Sequence, residues 1–335
     1  MSVFLPKVPA WEGFIPKDKF LVEVEPFITN QLNTLYNNQV SWQSFSSQNI
    51  PSTTLDGYYL LRAKDGNLFV KVMSKEHYNQ VAEMEEIASE LSRNGIKTIL
   101  AIDGFPKFST NHVMIAYPYY PHRFSNFSQS DLVLLGEEIA KLHCSLRSIS
   151  KRKTIIQKTK YRESKIEEAL KSFKTDDYLI QHSINQHYSR LDTSINAQVV
   201  HGDLNVGNII FVDDRPIILD FEDTIHSFFS PIFDIAFILE RFILIPIADD
   251  TKAWNLSKAF LISYMENSDK PLSIKHDSLF DTLISLSLRA LGLLSLQIQQ
   301  NNTISVDEWK KFHFLITHLF EKRPLIERIE KEILC

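Results

Sequence analysis

The stretch that most restricts what this chain can fold into is VVHGDLNVGNIIFVDDRPIILDFED, residues 199–223. IIFV is a β-branched and aromatic run, DDRP a turn cluster and IILDF a second apolar run, which together predict a short antiparallel hairpin. Asn208 stands just before its first strand and Asp220 at the close of its second. Paired strands lie about 4.8 Å apart, so an amide oxygen and a carboxylate at those ends can converge on one point. Such a pair suits a hard cation that prefers oxygen ligands, such as magnesium. Asp203 sits on the same loop, five residues before Asn208.

Any one of these residues alone is commonplace in a solvated turn. The conjunction is not: H-x-D-x-x-x-x-N, a hairpin, then an apolar pair and Asp-Phe. It has the Asp-to-Asn interval of a kinase catalytic loop, with a metal-binding Asp-Phe shortly after. A carboxylate beside a magnesium–phosphate complex can accept a hydroxyl proton, which is the role expected of Asp203. That chemistry demands a lysine for the phosphates on a strand upstream, and Lys71 in NLFVKVM meets the demand. Alternation places it on the same face as Phe69. The lysine in turn wants a glutamate from the following helix, where Glu83, Glu85 and Glu86 all lie. Glu83 and Glu85 flank the apolar stripe centred on Met84, and Glu83 is chosen as the partner.

The chain divides by texture. Residues 26–39 have the spacing of a short helix. Then VSWQSF, YYLLRA and NLFVKVM read as strands, with Asp65-Gly66 a tight-hairpin signal between the last two. A helix is predicted over 75–93, with Val81, Met84, Ala88 and Leu91 on one stripe, and KTILAI and HVMIAYPYY read as two more strands. After Pro121 the texture turns helical, beginning with a helix capped by Ser128 or Ser130. The expectation is an α+β chain of two lobes: a small antiparallel β-lobe with one helix over residues 1–116, and a larger, mainly helical lobe over 117–335 that carries the catalytic loop.

Charge and cysteine usage exclude other classes. A net charge of −5 gives no electrostatic case for nucleic acid. The basic region 151–174 has only Tyr161 and Phe173 as aromatics and several glutamates, so it reads as a solvated helix. Cys144 and Cys335 make neither a disulfide framework nor a metal site, as in a reducing compartment. Residues 1–14 lack the apolar run of a signal peptide. The apolar stretch 283–298 carries Arg289 and is too short to span a bilayer, so it reads as a buried helix. A soluble cytoplasmic protein is expected, with no membrane or nucleic-acid partner and no feature that sets its oligomeric state.

With these residues in hand, the chain resembles the aminoglycoside phosphotransferase and choline kinase-like group, small-molecule kinases of protein-kinase-like fold. VVHGDLNVGNIIF is similar to that group's catalytic loop, IILDFED to its metal-binding segment, and LGEEIAKLHCSL and FDIAFIL to its neighbouring helices. The resemblance implies ATP and Mg2+ as cofactors, with Asp203 the catalytic base, Asn208 and Asp220 the metal ligands and Lys71 on the ATP phosphates. It also implies that backbone around Ala116, Tyr117 and Tyr119 receives adenine, that His201 braces the loop, and that Asp234 holds it by hydrogen bonds. Two departures stand out. The loop SSQNIPSTTLD has no glycine to cover phosphates, and Glu222 follows Asp220-Phe221 where a glycine is usual.

The function implied is ATP-dependent transfer of phosphate to a hydroxyl of a small molecule. A protein Ser/Thr kinase and a non-catalytic nucleotide-binding module are the alternatives. Only thirteen residues separate Asp220 from Asp234, which leaves no room for the long activation segment of a protein kinase. Glu240, Asp249, Asp250, Trp254 and Glu266 lie where an acceptor pocket would be walled, a set that suits a cationic amine or aminosugar.

Overall fold

The computed structural model describes residues 20–37, 40–46, 55–63, 66–103, 106–173, 175, 177–188, 196–272, 279–299 and 306–334. The chain divides into two compact units. One joins Pro16–Phe124 to Ile210–Glu222; the other joins Ser125–Ile209 to Asp223–Cys335. This differs from a single cut after residue 116. β6 (His112–Pro118) carries the first unit past that point, and Arg123 then ties the hairpin of β8 (Ile209–Val212) and β9 (Arg215–Ile218) to it. Arg123 exchanges backbone hydrogen bonds with Phe211, at 3.1 and 2.7 Å, and its guanidinium reaches Asp214 at 2.9 Å.

The β-unit is built on a six-stranded antiparallel sheet of order β1-β2-β3-β4-β6-β5. The strands not yet given are β1 (Phe20–Glu23), β2 (Ser41–Ser46), β3 (Gly57–Ala63), β4 (Gly66–Ser74) and β5 (Lys107–Phe108). The β3–β4 pairing closes at Ala63↔Gly66, as the Asp-Gly signal predicts. One face is dry. Ile28, Leu32 and Leu35 of α1 (Pro26–Tyr36) pack there on Trp42, Tyr59, Leu61, Val70, Val72, Met114 and Ala116. The expected stripe of α2 (Tyr78–Arg93) is buried throughout, with Ile87 added to it. KTILAI is not a strand. Its backbone meets β6 through Ile102 N to Ala116 O, 2.9 Å, while the ladder on that edge of β6 belongs to β5. Of the loop SSQNIPSTTLD, residues 47–54 lie outside the described residues, as do residues 1–14.

The other unit is helical. Ser128, not Ser130, caps α3 (Gln129–Leu146), its hydroxyl accepting from Asp131 N at 3.2 Å. α3 packs on α7 (Asp250–Asn267) closely enough that a Cβ on Gly136 would lie 2.6 Å from the Phe260 carbonyl oxygen. α4 (Arg152–Ser172) is not a solvated helix: Ile155, Ile166, Ala169 and Leu170 are buried, and it packs on α8 (Leu279–Gln299). Arg289 of α8 pairs with buried Glu163 of α4 at 2.7 Å, so the charge in the apolar stretch is compensated. α8 is longer than that stretch. Leu279–Ile298 has mean hydropathy 1.6 and length enough to cross a bilayer, which corrects the expectation from length, but 67% of it is buried inside the protein. It is a core helix. The remaining helices are α5 (Tyr178–Gln186), α6 (Ile232–Ile238), α9 (Val306–Glu321) and α10 (Arg323–Ile329), and strand pair β7 (Gln198–Val199) and β10 (Phe228–Phe229) holds the segments around the catalytic loop.

Candidate active site

The loop His201–Asn208 is anchored from below by Asp234 at the start of α6. This fully buried carboxylate accepts from the N–H of His201 at 2.8 Å and of Gly202 at 2.9 Å. His143 Nε2 of α3 lies 3.0 Å from the same carboxylate, and His143 Nδ1 lies 2.9 Å from the Tyr264 hydroxyl on α7. α6 and α3 therefore meet at one buried acceptor, with Tyr264 of α7 holding His143 from behind, and removal of that acceptor would strand two backbone donors. His201 braces the loop as expected: it is buried, its Nδ1 accepts from Asp203 N at 3.3 Å, and its carbonyl accepts from Thr224 at 2.9 Å. Gly202 has φ +90, and a Cβ there would lie 2.2 Å from Ser227 Oγ. Only glycine fits.

Above this base the loop presents its polar groups. Asn208 Nδ2 donates to the Asp203 carbonyl and to Asp203 Oδ2, both at 2.9 Å. With its nitrogen so committed, the amide keeps Oδ1 as its acceptor atom. Asn205 Nδ2 donates to Asp203 Oδ2 at 2.8 Å, a contact that sequence reasoning passed over. The only signal for it was an Asn two residues after the aspartate. Arg162 of α4 forms an ion pair with Asp223. Burial would raise the Asp223 carboxyl, but Arg162 and Arg289 outweigh it and hold the group below its usual range.

The second cluster lies in the β-unit, on the sheet face opposite α1. Lys71 stands opposite Tyr58 and Ile115 in the ladders. Beside it runs a row of rings: Tyr58 stacks on Phe69 at 5.7 Å, and Phe69 neighbours Phe45 at 5.6 Å and Tyr117 at 6.4 Å. The glutamate paired with Lys71 is Glu222, at 3.5 Å, and not Glu83. The other Glu222 oxygen accepts from Gln80 of α2 at 2.9 Å. Glu85 is committed elsewhere, accepting from the Tyr117 hydroxyl at 2.7 Å and from Ala101 N at 3.2 Å, while Glu86 faces solvent. Burial would lower the Lys71 ammonium, but Tyr58, Asp220 and Glu222 outweigh it and hold it above its ordinary value. Burial and then Glu85 push the Tyr117 hydroxyl up, so it stays a donor. Asp220 is exposed and left-handed at φ 60, a conformation that costs a non-glycine residue about 1 kcal/mol and clusters at functional sites.

Of the backbone expected to receive adenine, the Ala116 carbonyl already accepts from Ile102 N, and Tyr119 N donates to Asn67 O at 3.0 Å. The acidic set expected to wall an acceptor pocket is engaged structurally. Glu240 is fully buried, its Oε2 3.0 Å from Arg241 Nε. Asp249 caps α7, accepting from Lys252 N, and Asp250 pairs with Lys322 at 2.5 Å. Trp254 lies under Arg328 and Lys258, and Glu266 is exposed. These residues are not brought together. Among the described residues no cluster of three His, Cys, Asp or Glu could hold a metal by itself.

A two-unit chain with a lysine-bearing antiparallel sheet and an H-x-D-x-x-x-x-N loop braced by helices defines the protein-kinase-like class. The chain matches the phosphotransferase enzyme family over residues 48–253, more than half its length, and belongs to that family. It is a phosphotransferase. No curated protein matches its sequence. Among solved structures it is similar to amicoumacin kinase hAmiN in complex with AMP-PNP, Ca2+ and Ami, at 17% identity and TM-score 0.59, over 91% of each chain. It is also similar to choline kinase LicA from Streptococcus pneumoniae, at 16% identity and TM-score 0.59, covering 88% of this chain and 98% of that one. The AMP-bound spectinomycin phosphotransferase APH(9)-Ia follows at 13% identity and TM-score 0.57, with 88% and 97% covered. At such identities the likeness is one of fold.

Proposed function

We propose that this kinase uses Asp203 as the base for its acceptor hydroxyl, Lys71 on the ATP phosphates, and Asn208 with Asp220 as the ligands of magnesium. The observation that carries the reading is the fixed carboxylate of Asp203: its backbone is tied through His201 and Gly202 to Asp234, and its Oδ2 takes two amide N–H groups. A hydroxyl must lose its proton as phosphorus is transferred to it, and a preorganised carboxylate supplies that acceptor. The donor set fits magnesium, since both residues offer oxygen and the His201 imidazole of the same loop is already engaged by the Asp203 N–H. When bound, the ion neutralises phosphate charge. The aromatic face beside Lys71 suits adenine, which would lie along the backbone of Ala116, Tyr117 and Tyr119, where the Ala116 carbonyl and the Tyr119 N–H already bond Ile102 and Asn67. This assigns nucleotide binding to the β-unit and the acceptor to the helical one, and a cytoplasmic location supplies the ATP.

Amicoumacin kinase, choline kinase and spectinomycin phosphotransferase share the fold, and a hydroxyl-bearing amine or sugar derivative is the acceptor class we infer from them. A cationic acceptor would have to be met by carboxylates other than Glu240, Asp249 and Asp250. A peptide acceptor is disfavoured by the interval before Asp234, which is taken up by a tight turn at Asp223–His226, by β10 and by the start of α6. The test is to offer γ-labelled ATP with panels of amino alcohols, sugars and aminosugars, and separately with a protein extract. Label on one small-molecule class, abolished by Asp203→Asn, is expected. Asp203-dependent label on discrete proteins alone would overturn the reading.

A further inference from the structure

The geometry points to Asn205 as a positioning residue for phosphoryl transfer, one that fixes through Oδ2 the Asp203 carboxylate that takes the acceptor proton. The inference rests on the reading of Asp203 as the base. Asn205 works with both ends of its amide. Its Oδ1 accepts from the N–H of Gly207 at 2.7 Å and of Asn208 at 3.2 Å, capping the single turn Val206–Asn208. Its Nδ2 donates to Asp203 Oδ2 at 2.8 Å. The amide cannot be turned over, because that would set NH2 against two backbone N–H groups and a carbonyl oxygen against a carboxylate.

The two jobs make different demands on residue type. A cap needs an acceptor oxygen, and Asp or Ser supplies one as well as Asn does. The bond to Asp203 needs an N–H donor, which neither Asp nor Ser can give in that geometry. Only the second job calls for an amide. Together with Asn208 Nδ2 at 2.9 Å, it gives Oδ2 two donors and stops the carboxylate rotating. In the transfer, the acceptor O–H bond breaks and its proton passes to the Asp203 carboxylate. The acceptor oxygen bonds to the γ-phosphorus, and the bond from that phosphorus to the bridging oxygen breaks to leave ADP. A carboxylate free to rotate spends less time in the orientation that receives the proton, which lowers the rate without touching nucleotide affinity.

The test uses the full chain with magnesium and ATP, water serving as the acceptor and ADP release as the readout. Asn205→Ser and Asn205→Asp both keep the cap; the first loses the donor and the second sets a carboxylate against Asp203. The expectation is a fall in kcat of about tenfold for Asn205→Ser and about a hundredfold for Asn205→Asp. KM for ATP and the melting temperature should stay at parental values in both. Asp203→Asn is run alongside. If it abolishes ADP release while both Asn205 variants turn over like the parent, the positioning role is wrong and the base assignment stands. If Asp203→Asn turns over like the parent, both fall. Losses of kcat that track a lower melting temperature, equal in Ser and Asp, would reduce Asn205 to a cap and overturn the inference. Should Asn205→Asp not fold, Asn205→Ser decides alone by its kcat at unchanged KM.

Discussion

The loop around Asp203 and the sheet face around Lys71 hold comparable numbers of polar groups, yet they are organised on opposite principles. In the loop, Asp203, Asn205 and Asn208 bond one another within five residues of chain, over a backbone that Asp234 clamps from beneath. On the sheet face, Lys71 is satisfied by Glu222 and helix α2 reaches the same carboxylate through Gln80, a separation of 142 residues. Glu83, the expected helix partner, does not pair with Lys71, and Glu85 of the same helix is given to Tyr117. A local network can be specified by a motif; a long-range one is chosen by whichever carboxylate the fold delivers.

The largest effect tests the local side of this contrast. Asp203→Asn should lower turnover by about 10³-fold while ATP binding stays within about threefold, because a general base contributes 10²–10⁴ and does not hold the nucleotide. Fluorescent-nucleotide titration and ADP release measure both, and near-parental turnover would break the comparison at its root.

Gly202→Ala comes next. The new Cβ would meet Ser227 Oγ at 2.2 Å on a left-handed backbone, and a loss of about 3 kcal/mol is expected from overpacking and strain. Urea unfolding reads it. A variant as stable as the parent would mean that the loop is not clamped.

A smaller effect belongs to the buried pair beside the loop. Burial raises the Glu240 carboxyl from 4.5 to about 6, against the pull of Arg241 and Ser287. The folded protein thus holds this proton where the unfolded chain releases it. The stability so contributed is present below pH 4.5 and lost as pH rises through 6, about 2 kcal/mol in all. Glu240→Gln should flatten that part of the melting-temperature profile between pH 4.5 and 7. A decline as steep as the parent's would place the proton on another group.

The smallest pair of effects sharpens the contrast at Lys71. Glu222→Gln keeps the bond to Gln80 but removes the charge opposite the ammonium, and about a tenfold rise in KM for ATP is expected from a misplaced lysine. Glu83→Gln should stay within about twofold. The reverse ranking would return the pairing to helix α2.

The legible part of the site was the part with short reach. That His201, Gly202, Asp203 and Asn208 form one loop could be read, because backbone and side-chain bonds over a few residues need little more than the right order of residue types. Asp234 came from family resemblance, and its three contacts bear out the bracing role. Glu83 misled because helical phase ranks it with Glu85 and says nothing of what stands across from either. Glu222 was visible as an oddity, but its partner was not.

By itself the sequence determined the pairing of β3 with β4 from alternation and Asp-Gly, the buried stripe of α2 from its period, and the catalytic loop from its motif, since each depends on contacts within or next to one element. Only the tertiary structure decided the rest. It left KTILAI off the ladder, with Ile102 N bonded to Ala116 O beyond the short β5 pairing on β6. It put residues 210–222 with the β-unit through Arg123 and Phe211. It spent Glu240, Asp250 and Trp254 on packing and ion pairs inside the helical unit. The physical reason is the same in each case. A polar or edge group has several partners of equal chemistry along the chain, and which one it meets is settled by where the apolar faces come together, not by the group's own neighbours.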